Sequence, residues 1–243
     1  MIHFASTSFS PSEMQALLDF RRKLHQHPEL SEQEQKTTAH IRAALFSLGL
    51  EELDLGLPTG VAAILRGKQH DAAVLLRADI DALPVEESTE WAYSSQIPGT
   101  MHACGHDIHM AALLGAARLL AARREQLAGN VLFLFQPAEE AATGAMQVLE
   151  QGLFRRVPMA GMLALHVWPG LAQGQLGIRS GAILSAVDSF EITVTGRGGH
   201  GSAPERACNP IPAGAALASA LTTLRANDLP QAEPAVTAVT CIQ

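Results

Sequence analysis

The chain has 243 residues, 47% hydrophobic and 17% charged, enough for one large domain or two smaller ones around a sizeable core. Its 17 basic and 24 acidic residues leave a net charge of −7, which argues against nucleic acid or an anionic membrane as partner, because both reward clustered Lys and Arg. No apolar run approaches the ~20 residues that span a bilayer, Met1 to Ser6 lacks a signal-peptide pattern, and Cys104, Cys208 and Cys241 are too few for a disulfide framework, so a cytoplasmic location is expected.

From Pro11 to Leu50 the pattern is helical. Leu17, Leu18, Phe20 and Leu24, then Ile41, Ala44, Leu45 and Leu48, recur at three- and four-residue spacing, and Gly49 is a stop. Ser12 with Gln15 predicts a capping box at its start. The short basic clusters Arg21-Arg22-Lys23 and Arg123-Arg124 read as solvated helix faces. His25 and His27 lie between the two helical stretches; nothing nearby completes a metal site with them, so a structural or surface role is expected.

A different rhythm follows. Val61 to Leu65 and Ala72 to Ala78 read as short apolar strands, the second ending on Asp79-Ile80-Asp81. Ile108 to Arg124 predicts a helix, Asn130 to Phe135 a near-continuous apolar strand, Thr143 to Gln151 a helix, and Met162 to Leu165 a strand. Strands apolar on both faces and alternating with helices indicate the α/β class, with a mostly parallel sheet flanked by helices. From Ser189 the character changes: Phe190 to Thr195 alternates strictly, Gly196 to Gly201 is a glycine-rich turn, Pro210 and Pro212 open a helix to Leu224, and Val236 to Ile242 is strand-like. This β-α-β piece reads as the start of a smaller α+β domain, with boundaries at 1–186 and 187–243.

The polar residues gather where strands end. Val74 to Ala78 delivers Asp79, Val131 to Phe135 delivers Glu139-Glu140, and Leu163 to Leu165 delivers His166. In open α/β sheets the functional crevice lies at the carboxyl ends of the strands, so these groups can converge. Cys104 and His106, two apart before the helix, would diverge on a helix but can meet on a loop. A helix N-terminus also favours a thiolate. Cys, His, Glu and His are ligand types that Zn²⁺ accepts, and Mn²⁺ or Ni²⁺ can share the nitrogen and carboxylate donors.

Five ordered motifs carry a family resemblance. Arg77-Ala78-Asp79-Ile80-Asp81-Ala82-Leu83-Pro84, Met101-His102-Ala103-Cys104-Gly105-His106-Asp107, Phe135-Gln136-Pro137-Ala138-Glu139-Glu140, Ala164-Leu165-His166-Val167-Trp168-Pro169 and Gly198-Gly199-His200-Gly201-Ser202-Ala203-Pro204 resemble the amidohydrolase branch of the peptidase M20 family. That branch includes hippurate hydrolases, N-acetyl-amino-acid deacetylases and plant indole-acetyl-amino-acid hydrolases. The resemblance covers the chain from Phe20 onward. It implies a zinc-peptidase-like catalytic domain followed by part of a lid or dimerisation domain.

It also implies two divalent metal ions (Zn, Mn, Ni or Co) held by Cys104, His106, Glu140 and His166, with Cys104 as the bridging ligand. Glu139 is the implied general base, Asp79 a supporting carboxylate, and His200 a lid histidine that binds substrate or stabilises the oxyanion. The implied reaction hydrolyses the amide of a small N-acyl amino acid, in a homodimer or homo-oligomer when full length, with no nucleic acid or membrane as partner. The family pattern continues with the rest of the lid and a further histidine ligand, so the 243-residue polypeptide alone is expected to be inactive. Three rivals stay open: a dinuclear aminopeptidase or dipeptidase on the same scaffold, a thiol nucleophile Cys104 with His106 as its base, and a non-catalytic paralogue.

Overall fold

The computed structural model describes residues 9–68, 72–184, 186–228 and 236–243. Helix α1 spans Pro11–Gln26 and α2 spans Gln35–Ser47. The capping box of α1 is formed by Ser10 and Glu13 rather than Ser12 and Gln15: Glu13 N–H donates to Ser10 Oγ at 3.3 Å and Ser10 N–H donates to Glu13 Oε2 at 2.8 Å. Pro11 explains the shift, because proline suits the first helical position and so sets the cap one residue before itself.

His25 lies in the last turn of α1, not in a linker, and it is buried. Its Nδ1 stands 2.9 Å from Asp107 Oδ2 and its Nε2 3.3 Å from Glu87 Oε1. Arg21, one turn earlier, brings Nε to 2.5 Å from the same Asp107 oxygen, so of the basic cluster Arg21 is an ion-pair partner while Arg22 and Lys23 stay exposed. A wholly buried carboxylate is tolerated only when paired in this way. The hydrogen bond to Asp107 raises the His25 pKa. Burial opposes ionisation of Asp107, yet the His25 bond and the charges of His102 and Arg21 hold it below its ordinary value.

The signs fix a pH window. The His25 contribution is full below about 6.5 and is lost as pH rises through its raised folded value; the Asp107 contribution is full above about 3.9 and is lost as pH falls through its depressed value. His25→Leu is therefore expected to flatten the fall of Tm with pH above about 6.5, as followed by thermal melts. An unchanged slope would remove His25 from the stability balance.

Strands β1 (Glu51–Leu53), β2 (Val61–Leu65), β3 (Ala73–Asp79), β4 (Asn130–Gln136) and β5 (Met159–Ala164) form one sheet in the order β1-β2-β4-β3-β5. The α/β class holds, and the parallel pairing lies in β4-β3-β5, with β2 and β1 added antiparallel. Helix α3 (His106–Ala121) with α1 and α2 covers one face, over Val61, Ala63, Leu65, Phe133 and Phe135. Helices α4 (Gly144–Glu150) and α5 (Leu153–Arg156) supply Val148 and Leu153 to a second cluster with Ala62, Ile64, Leu75, Leu132 and Leu134. Each fully buried phenylalanine in β4 is worth about 1.5–3 kcal/mol of transfer free energy.

Cover on both faces is thus realised at β2 and β4 but not at β5, whose residues from Ala160 to Ala164 are exposed. Apolar composition alone does not say which strand lies at an edge. The chain divides into two compact units, Met1–Gln175 and Leu176–Gln243. Within the second, α6 (Ile211–Asp228) forms as expected and Arg197 pairs with Cys208 in an isolated bridge. The expected strands 190–195 and 236–242 carry no ladder among the described residues. A strand needs a hydrogen-bonded neighbour, and alternation cannot supply one. No helix among the described residues is long and apolar enough to cross a membrane.

Candidate metal centre

The site grows from the carboxyl ends of β3 and β4 and the amino end of α3. Gly105, the residue before α3, has φ +84°, a left-handed value that suits glycine, and a Cβ there would meet Val167 Cγ2 at 2.6 Å. This turn lets Cys104 and His106 face one centre despite their two-residue spacing. His106 Nδ1 lies 2.9 Å from the Asp81 carbonyl oxygen, to which it donates, so the lone pair is on Nε2. That Nε2 is buried and has no hydrogen-bond partner among the described residues.

The other donors surround it. His106 Nε2 is 3.7 Å from Glu140 Oε1, 3.8 Å from Glu139 Oε2 and 3.7 Å from Asp79 Oδ2. Cys104 Sγ is 3.5 Å from His166 Nε2, whose Nδ1 faces the Val167 carbonyl at 2.7 Å. Two ligands on one tetrahedral ion stand roughly 3.3–3.8 Å apart when their bonds are about 2.0–2.3 Å. The donor spacings match that scale, the donors are nitrogen, sulfur and carboxylate oxygen, and the buried orphan nitrogen points among acids. These residues fit a divalent cation.

Among the described residues, three overlapping sets have ligand atoms within 4.8 Å of one another: Cys104, His106 and His166; His106, Glu139 and Glu140; and Asp79, His106 and His109. The third set is disfavoured by its hydrogen bonds. Val167 N–H donates to His109 Nε2 at 2.9 Å, which consumes that lone pair and leaves the proton on Nδ1, 2.6 Å from Asp79 Oδ1. His109 is therefore a buried strut between the end of β3 and the residue after His166. It stands three positions after His106, on the same helix face, and that spacing was the available sequence signal for it.

Electrostatics tell how the pocket behaves without a cation. Burial, then the charges of Glu140, Glu139 and Asp79, push the Cys104 thiol up to about 12. Without a cation, desolvation and three carboxylates thus outweigh the helix N-terminus that would favour a thiolate. That also weakens Cys104 as a free nucleophile. Burial lowers the His106 pKa, but the hydrogen bond with Asp81 and the charges of Asp79, Asp81 and Glu140 leave it raised overall. Burial raises Glu140 above its ordinary value. Asp79 lies at about 2, since the His109 bond and the His106 and Arg77 charges outweigh its burial. A cation would reverse this, replacing protons on the sulfur and nitrogen donors.

His200 lies in the second unit and is exposed; its Nδ1 is 3.3 Å from the Ser202 N–H it accepts and 2.7 Å from Ser202 Oγ.

Residues 75–242 match the family described as Peptidase family M20/M25/M40. The chain is 42% identical over 228 residues to the N-acetylcysteine deacetylase of Bacillus subtilis strain 168, covering 93% of this chain and 60% of that protein. It is 39% identical over 225 residues to the N-acyl-L-amino acid amidohydrolase of Geobacillus stearothermophilus, covering 92% of this chain and 60% of that one. Among solved structures, a Bacillus subtilis dinuclear metal-binding peptidase from the M20 family superposes with a TM-score of 0.67 at 45% identity, over 70% of this chain and 48% of the other. The chain spans about 60% of the length of these two curated relatives.

Proposed function

Since the chain belongs to the peptidase family M20/M25/M40, we propose that it is the N-terminal part of a two-metal amidohydrolase that cleaves N-acyl amino acids to a carboxylate and a free amino acid. The observation that carries this is the buried His106 Nε2, without a hydrogen-bond partner among the described residues, set among Asp79, Glu139 and Glu140 beside the Cys104–His166 pair. Cys104, His106, Glu140 and His166 would hold the metals. Bound divalent ions at such a site lower the pKa of water and polarise a carbonyl.

The chain's own residues do the rest. Glu139, whose side chain is the more exposed of the two neighbouring carboxylates, takes the proton of the attacking water and passes it to the leaving amine. Asp81 fixes the His106 tautomer through its carbonyl and accepts Glu140 N–H on its carboxylate at 2.9 Å. Asp79 and His109 hold the chain beside His166. His200, in a lid or dimerisation domain begun by the second unit, steadies the oxyanion in a homodimer. The three free cysteines fit a reducing cytoplasm.

The test is a substrate panel with the product of the whole reading frame and added Zn²⁺, Mn²⁺, Co²⁺ or Ni²⁺. Hydrolysis of N-acetyl and N-benzoyl amino acids with free dipeptides left intact is the expected result. The reverse preference would favour the aminopeptidase or dipeptidase reading.

A further inference from the structure

The turn that carries Glu139 and Glu140 is tightly closed. Ala138 and Ala142 have φ of +50° and +56°, a left-handed region that L residues disfavour. Ala142 N–H bonds Glu139 O at 2.8 Å and Gly144 N–H bonds Ala138 O at 3.0 Å. A Cβ at position 144 would run into the Pro137 carbonyl, so glycine is required there. What keeps two alanines in this shape comes from the connector between α1 and α2. Glu34 Oε1 accepts Ala138 N–H at 2.8 Å, and Glu32 Oε1 accepts the Thr143 hydroxyl at 3.1 Å and the Gln147 amide at 2.9 Å. Ser31 donates to Asp81 Oδ2 at 2.7 Å, the oxygen that also takes Glu140 N–H.

Glu34 is the unusual member of this set. Its side chain is fully buried, burial pushes its carboxyl above the usual range, and its Oε2 has no partner among the described residues. A buried acid without a cation is costly, and an apolar residue would serve packing better. Its Oε1 accepts the N–H of the residue immediately before Glu139.

We propose that Glu34 is a positioning residue that locks Ala138 in its left-handed conformation and so aims Glu139 and Glu140 into the metal centre, an inference that rests on the amidohydrolase reading of those two carboxylates.

The test compares wild type, Glu34→Gln, Glu34→Leu and the double variant Glu34→Leu with Ala138→Gly. One readout is hydrogen exchange at the Ala138 amide, which needs no metal; the other is Co²⁺ affinity, read from the thiolate-to-cobalt charge-transfer band in competition with a chelator. In Glu34→Leu, Ala138 exchange is expected to rise while the Phe133 amide stays protected, and Co²⁺ affinity to fall about 10- to 100-fold. Glu34→Gln retains both, because its amide oxygen still accepts. Ala138→Gly restores part of the lost affinity, since glycine adopts positive φ freely. Unchanged exchange and unchanged Co²⁺ affinity in Glu34→Leu would overturn the proposal. If Glu34→Leu does not fold, a wild-type Ala138 amide that exchanges like an exposed one overturns it equally. A wild type that binds no Co²⁺ defeats the amidohydrolase reading instead, and Ala138 exchange still decides the role of Glu34.

Discussion

Glu139→Gln is expected to lower turnover of N-acyl amino acids by about 10²- to 10⁴-fold, the range a positioned general base contributes, while bound metal per chain stays near the wild-type value. The amide keeps the size of the carboxylate but cannot accept a proton from water. Glu140→Gln is expected to lose metal and turnover together. The two residues are adjacent, yet their settings differ: the Glu140 side chain is 22% exposed with its backbone N–H tied to Asp81, whereas that of Glu139 is 41% exposed. A ligand gains from being held, and a base must reach substrate. Equal metal loss from the two substitutions, measured by metal analysis beside steady-state kinetics, would mean that the roles are misassigned.

Cys104→Ala is expected to weaken metal binding by more than about 100-fold and to remove turnover with it. Second-layer partners alone are worth about 10- to 100-fold, and a side chain that would hold the metal directly should be worth more. The carboxylates that push the Cys104 thiol up to about 12 without a cation are the same groups that favour one, so a cation held less tightly after loss of the sulfur also compensates Glu139, Glu140 and Asp79 less. Isothermal titration with Zn²⁺ checks this. The thiol-nucleophile rival predicts the opposite pattern, in which Cys104→Ala kills turnover and leaves metal affinity intact.

The candidate donors stand out in the sequence because Glu140 and His166 come after apolar strands while Cys104 and His106 flank the start of a helix, and strand ends in such a sheet converge by topology. Asn130 to Gln136 is buried throughout, as its unbroken apolar run demanded. Met162 to Leu165 is equally apolar, yet the strand holding most of it is exposed, since no local pattern records which strand lies at the edge of a sheet. The alternation at 190–195 was real, but pairing depends on a neighbour elsewhere in the chain. The supports were hidden for a related reason. Glu34 bonds the backbone of Ala138 and His109 the backbone of Val167, over separations of 104 and 58 residues, and side chain-to-backbone bonds of that reach leave no periodicity. Spacing places His25 between two helical stretches, and its pairing with Asp107, which ties α1 to α3, leaves no local trace. Both halves of that pair were visible, 82 residues apart, without any sign that they meet.

The most direct measurement is reconstitution. The product of the whole reading frame is stripped with a chelator and titrated with Zn²⁺ or Mn²⁺ while hydrolysis of one N-acyl amino acid and bound metal are followed together. Turnover should vanish on stripping and return as metal binds, reaching its plateau at two ions per chain. Turnover that survives complete removal of metal, or two bound ions with no hydrolysis of any N-acyl amino acid, would contradict a two-metal amidohydrolase.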